Sequence, residues 1–416
     1  MKMKNDSTIK QYGLSVGYKL LCVALSFGNS VLINRCLGVE LRGEYTAITN
    51  LAGLLQLLLN LGIGNAYPVF KRKEPDKAKN IFSTLLYCQL VIYLCISIPV
   101  VMIAPVFYKY VAIIVVLCVI ENQVIFISIV ENVVEKNRFN LVTTIIYMLN
   151  LFITYYAFRY NVTAVMIAVI ADHCLLIFGL IIRFKIFEFK PSLLSTEMLR
   201  KIFRVSIPAM LMNILMYINY HADILFLQYM IEDYYMIGLY GTAVTLGNML
   251  WILPDAFKDV IYNRSTKKDN PEEISFAIIL NMCLCFGVLV GFVFLGRWFL
   301  NIAYGADFVE AYPMTLMLFV GTFPMILYKL IHPLYISRGN TRIAVSLLSI
   351  AAAINVIGNI LLIPKYSAYG AAVASIFSYS VCGVAFLIKF NKDFSISAKG
   401  LIEFGKQRLK GRNIHK

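Results

Sequence analysis

The chain has 416 residues, of which 60% are hydrophobic and 15% charged, with a mean hydropathy of +0.74. These values exclude an ordinary soluble domain and describe a polytopic membrane protein. The net charge of +15 would suit nucleic acid, but the cations crowd into alternate loops, so no nucleic-acid partner is expected.

Twelve apolar segments run at 14–37, 44–68, 80–104, 106–133, 140–158, 162–184, 205–230, 236–262, 274–296, 311–335, 342–364 and 369–390. Each has about 19 to 28 residues, enough at ~1.5 Å per residue to cross ~30 Å of hydrocarbon. Lys2, Lys4 and Lys10 precede the first segment, and Lys71, Arg72, Lys73, Lys77 and Lys79 follow the second. The same side carries Lys136, Arg138, Arg183, Lys185, Lys190, Arg200, Lys201, Arg204, Arg264, Lys267, Lys268, Arg338 and Arg342, then the tail from Lys389 to Lys416. The opposite side has only Arg35, Arg42, Lys109, Arg159, Arg297 and Lys365. The excess of positive charge predicts that both termini are cytoplasmic. The first segment is too long for a signal-peptide core and lacks a small-residue cleavage site, so it is expected to remain as a span.

The nine cysteines all fall in or at the ends of apolar segments, where Cys acts as a small apolar filler. Cys283 and Cys285 point to different faces of a helix, and no metal site is expected.

The two halves resemble each other. Gly43, Tyr45, Leu51, Leu55 and Leu58 match Gly238, Tyr240, Leu246, Leu250 and Leu253 without a gap, and Asn150 aligns with Asn355. Arg159-Tyr160 aligns with Lys365-Tyr366. Each half has six segments starting from the same side, so the repeats are parallel, as in transporters. The predicted fold is all-α and integral to the membrane. Twelve helices form two parallel six-helix bundles around a central cavity: residues 1–190, residues 191–392, and a basic cytoplasmic tail at 393–416.

Polar residues within the segments fall in helical stripes. These are Ser15, Lys19, Cys22, Ser26 and Asn29 in the first, and Glu121, Ser128, Asn132 and Glu135 in the fourth, flanked by Glu131. The fifth has Thr143, Tyr147, Asn150 and Thr154; the seventh has Asn213, Tyr217, Tyr220 and Asp223. The eighth has Thr245, Asn248, Asp255 and Asp259, and the tenth has Thr315, Thr322, Lys329 and His332. Charges at this depth cost ~2.5–3.5 kcal/mol on insertion scales, so Lys19, Glu121, Asp223 and Lys329 are functional candidates. Asp172 and His173 read more readily as structural, and His221 and His332 as satisfied interior histidines. Asp255 and Asp259 follow Pro254, with an ion pair to Lys258 as the plainer reading. Tyr217 and Tyr220 are candidates for stacking on carbohydrate.

The stretch "NRCLGVELRGEYTAI" (Asn34 to Ile48), "LGIGNA" (Leu61 to Ala66), "IPAMLMN", Asp223-Ile224-Leu225, "IGLYGTAVTLGNMLWILPDAF" and Tyr335 to Ser375 together cover most of the chain. They resemble lipid-linked oligosaccharide flippases of the multidrug/oligosaccharidyl-lipid/polysaccharide exporter superfamily. That resemblance implies a bacterial inner-membrane protein that turns an undecaprenyl-diphosphate-linked O-antigen or capsule unit by alternating access around a cationic cavity. A polysaccharide polymerase and a chain-length regulator are the implied protein partners, with membrane lipids around them. Lys19, Arg35 and Lys329 fit the cation role by chemistry. Asn213, Tyr217 and Tyr220 complete the expected substrate site, while Glu121 and Asp223 are the expected ion-coupling pair. No phosphate-binding loop is present and no cofactor is expected, so ATP does not drive this chain directly. A drug-extruding antiporter of the same superfamily is one alternative. A polymerase or ligase is another, and the short outer loops disfavour it.

Overall fold

The fold comes from a computed structural model that describes residues 2–252, 254, 255, 257, 258, 261, 271–338 and 340–395. Side chains are described from Leu14 onward, except at residues 15, 16, 19, 337 and 341. The Lys19 side chain, Asp259, Lys267, Lys268 and the tail beyond 395 thus lie outside the described residues. Among the described residues all regular structure is helical, and eight helices are long and apolar enough to cross a membrane. The protein is an all-α, multi-pass membrane protein.

The chain divides into two compact units, Met1–Ile214 and Leu215–Lys416. The first contains α1 (Lys2–Leu59), α2 (Ile63–Lys73), α3 (Pro75–Ile103), α4 (Val106–Ala157), α5 (Val162–Phe184) and the start of α6 (Thr196–Met230). At 58 and 52 residues, α1 and α4 are far too long for one crossing of ~30 Å. Each is broken by one residue. Gly38 takes φ 72° and ψ −180°, a region essentially reserved for glycine, where a side chain would cost ~1–3 kcal/mol. Asn132 is extended, at φ −161° and ψ 98°, and its Oδ1 accepts the Glu135 amide at 3.1 Å, capping the second half of α4. The expected loop between the first two segments is therefore a bend in one helix. The Tyr160 amide donates to Cys36 O at 2.7 Å, fixing the α4–α5 turn against that bend.

The expected basic loop after the second segment is instead the helix α2. Leu61 and Gly62 enter it in left-handed conformations. A Cβ on Gly62 would lie 2.4 Å from Ser206 O, so only glycine lets the backbone of α6 approach there. Carboxylates at the α4 break hold one of the α2 cations and two from later in the chain. Lys71 pairs with Glu131 at 2.7 Å, Tyr67 donates to the same carboxylate at 2.6 Å, and Arg138 and Arg183 donate to Glu135 at 2.5 and 2.8 Å.

The second unit contains the rest of α6, α7 (Tyr234–Leu250), α8 (Pro271–Ala303), α9 (Tyr312–Ser337) and α10 (Thr341–Phe394). Helix α10 has 54 residues and bends at Ser367, which takes φ 50° and ψ −133°. The eighth segment was expected to continue to 262: α7 ends at Leu250 with Trp251 as its cap, and the described residues beyond it, Ile252, Pro254, Asp255, Phe257, Lys258 and Ile261, are again helical. The expected outer loop at 297–310 is mostly ordered, since α8 runs to Ala303 and a 3₁₀ helix spans Ala306–Ala311.

Burial runs opposite to that of a soluble protein. Ile103 is 86% and Phe294 80% exposed, while Asn34, Asn355 and Asn359 are fully buried. Apolar surface has no cost against lipid, whereas each polar group must find a partner inside. Several stripe residues find theirs within their own helix. Ser128, Thr154, Thr315 and Thr322 all donate to the carbonyl four residues back, and Thr143 to the one three back. Those hydroxyls need no water-filled interior.

Candidate functional site

In the second unit, α6 carries Asp223, which is 2% exposed. Its Oδ1 accepts the Ile224 amide at 2.9 Å. Its Oδ2 accepts the Tyr240 hydroxyl from α7 and the Ser375 hydroxyl from α10 at 3.2 Å. Asn355 Nδ2 donates to Ser375 Oγ at 3.3 Å, and Asn359 Nδ2 donates to Asn355 Oδ1 at 2.9 Å. Asn359 Oδ1 is buried without a partner. One carboxylate, two amides and a serine hydroxyl from facing helices form a buried, oxygen-rich set suited to a proton or a hard cation. A cavity with room for roughly one water lies beside it, lined by Asp223, Gly247, Asn248, Trp251 and Tyr379.

Lys329 on α9 is 7% exposed and is not a free cation. Its Nζ lies 2.9 Å from each carboxylate oxygen of Asp255. It also stands 4.7 Å from the Trp251 ring centroid and 5.9 Å from that of Tyr220. Tyr220, Trp251 and Tyr379 pack against one another at 4.6–5.9 Å between centroids. Asp255 pairs with Lys258 as expected, at 3.4 Å, but more closely with Lys329. The expectation that His332 is a satisfied histidine fails, because its Nε2 is buried with no hydrogen-bond partner. The Tyr217 and His221 rings lie 4.8 Å apart at a 40° tilt, and Asn213 is partly buried on the same helix.

In the first unit, Glu121 accepts from His173 Nδ1, whose other nitrogen faces Cys118 Sγ at 3.9 Å. Neighbouring Asp172 has a buried oxygen with no partner. The Glu121 carboxylate is thus partnered by a histidine. Arg35 is partly buried. The buried cation that sequence reasoning missed is Arg42, 7% exposed, whose Nε donates to Asn34 Oδ1 at 2.7 Å and Nη1 to Thr46 Oγ1 at 2.5 Å. It was read as a loop residue because the bend at Gly38 was not foreseen. Trp251, Ser375 and Asn359 were missed as well. The i, i+4 spacing of Asn355 and Asn359 and the repeat position of Tyr240 were the available signals. Among the described residues, no cluster of three or more His, Cys, Asp or Glu could hold a metal ion.

Residues 10–254, more than half of the chain, match the family described as polysaccharide biosynthesis protein. The chain belongs to that family. Among solved structures, this family member is similar to the lipid II flippase MurJ in an inward closed conformation. The TM-score is 0.74 at 15% identity, covering 95% of this chain and 91% of that one. It is also similar to an inward-facing multidrug resistance transporter of the MATE family and MOP superfamily, with a TM-score of 0.70 at 11% identity over 90% and 94%. At such identities the likeness is one of fold. No curated protein matches the sequence.

Proposed function

We propose that the chain is a transporter, not an enzyme: a flippase that moves an undecaprenyl-diphosphate-linked oligosaccharide repeat unit across the bacterial inner membrane by alternating access. The observation that carries this reading is the conjunction of membership in a polysaccharide biosynthesis family with a fold similar, over 95% of the chain, to a lipid II flippase. A diphosphate and sugar head group cannot cross hydrocarbon unaided, and buried cations offset its desolvation.

Twelve spans with both termini cytoplasmic fit the helices described above. Eight candidate spans become eleven when those containing Gly38, Asn132 and Ser367 are each counted as two, and α7, 17 residues long, makes twelve. Residues 1–190 and 191–392 are the two six-helix halves, and 393–416 a cytoplasmic tail. Lys19, Arg35, Lys329, Asn213, Tyr217 and Tyr220 are the proposed substrate residues. Glu121 and Asp223 are the proposed coupling residues for H⁺ or Na⁺, with Asn355, Asn359 and Ser375 completing the Asp223 site. A polymerase and a chain-length regulator are the proposed partners downstream.

The test is reconstitution of the purified chain in liposomes with a labelled undecaprenyl-diphosphate oligosaccharide on one leaflet. Appearance of label on the opposite leaflet is the expected result. Movement of a cationic drug without movement of the lipid would replace this reading with the antiporter, which the MATE likeness supports and the buried cations disfavour.

A further inference from the structure

The surroundings of Lys329 contain more donors than acceptors. Trp251 Nε1 and the hydroxyls of Tyr220 and Tyr328 are buried without hydrogen-bond partners. Trp251 and Tyr328 are only 8% and 2% exposed. Donors buried unsatisfied destabilise the empty site, and a ligand bringing acceptor oxygens would relieve that cost. An indole N–H cannot accept, and an ammonium offers only donors. Among the described residues the charged acceptor at this site is Asp255, held by Lys329 through both of its oxygens at 2.9 Å.

Asp255 is also the most accessible part of the cluster. Its side chain is 37% exposed against 8% for Lys329, so a ligand approaching the ammonium meets this carboxylate first. It has a second cation within reach, since Lys258 on the next turn stands 3.4 Å away and is 39% exposed. Moving from Lys329 to Lys258 would leave Asp255 paired and partly solvated, with little penalty. It would also uncover an ammonium seated on two aromatic faces, flanked by indole and phenol donors.

Resting on the flippase reading, we infer that Asp255 is an internal stand-in for the substrate's diphosphate: it occupies Lys329 in the empty protein and transfers to Lys258 when a diphosphate group binds. Tyr220, Trp251 and Tyr328 then donate to the oxygens of the incoming group. The latch keeps the cation from remaining unpaired in an apolar interior between transport cycles.

The experiment uses the full chain in phosphatidylcholine nanodiscs with Trp298→Phe. Trp298 is 63% exposed, and since the chain has two tryptophans, Trp251 becomes the only indole, read selectively by red-edge excitation that spares the tyrosines. Inorganic pyrophosphate is titrated in one arm and undecaprenyl diphosphate in the other, with equilibrium dialysis of labelled pyrophosphate as a second readout. The arm that responds identifies free or lipid-borne diphosphate as the ligand. Asp255→Asn should tighten binding by about tenfold, and Lys329→Gln should weaken it by at least about tenfold. Lys258→Gln, which leaves the Lys329 pair intact, should weaken it about threefold because Asp255 loses its alternative partner. Asp255→Asn binding no tighter than the parent in both arms, or no binding by any variant, overturns the inference. Should Asp255→Asn prove too unstable to purify, Lys258→Gln binding as tightly as the parent overturns it instead. The flipping assay separates the two ideas, because flipping with an unaltered affinity order sinks the latch alone, and absence of flipping sinks the function.

Discussion

Arg42 Nε donates to Asn34 Oδ1 at 2.7 Å across the bend at Gly38, tying together two helical stretches that the bend separates. Its Nη1 reaches Thr46, and its guanidinium lies 4.9 Å from the Tyr45 ring centroid. Arg42→Ala removes these donors from a buried site and should cost about 1–3 kcal/mol. Arg42→Lys keeps the charge but not the fork, and should recover only part of that loss. Thermal unfolding of the purified protein in detergent checks both; a melting temperature unchanged in Arg42→Ala would show that the bend does not depend on this contact.

Two left-handed glycines should respond differently to alanine. At Gly38 a Cβ would meet only the Tyr160 ring, from 3.5 Å, so the cost is conformational, ~1–3 kcal/mol. At Gly62 the Cβ would fall 2.4 Å from Ser206 O, which must move with α6. Gly62→Ala should therefore reduce folded yield well below that of Gly38→Ala, as size-exclusion profiles of the two variants would reveal.

Asp223→Asn loses the charge and keeps one acceptor oxygen; with that oxygen on the Ile224 amide, its Nδ2 faces the Tyr240 and Ser375 hydroxyls, which can turn to accept. Glu121→Gln likewise leaves His173 a neutral partner. Both variants should accumulate normally while losing the response of reconstituted flipping to an imposed pH or Na⁺ gradient. Flipping that still follows the gradient in both would remove these carboxylates from coupling.

Lys19 and Lys329 are proposed to attract the diphosphate, so Lys19→Gln and Lys329→Gln should each lower surface polysaccharide, and the arginine versions should partly preserve it. Normal export by both glutamine variants at normal protein levels would make these cations structural.

The charge asymmetry predicts topology. A reporter active only in the periplasm should work when fused after Tyr108 or Ala306 and fail after Lys77 or Lys268. The reverse pattern would invert the assignment of sides.

The sequence by itself determined that this chain is helical and lives in a membrane, because spanning a bilayer demands long apolar runs whose backbone is satisfied internally. It also marked Asp223 and Lys329, since a charge at that depth is retained only for a reason. What it could not supply was the partner of each polar group. The apolar pattern breaks near Gly38, Asn132 and Ser367, so the segments could be counted, but a break in hydropathy does not show that one helix continues across the bend. The pairing of Glu121 with His173, of Lys329 with Asp255, and of Asp223 with Tyr240 and Ser375 joins residues 17 to 152 positions apart. Only helix packing brings them within hydrogen-bond distance, and only burial makes those bonds obligatory. The same packing gave Ser128, Thr315 and Thr322 to their own backbones, which is why a polar stripe alone is a poorer guide to a site than the polar group left over once the helix has taken its share.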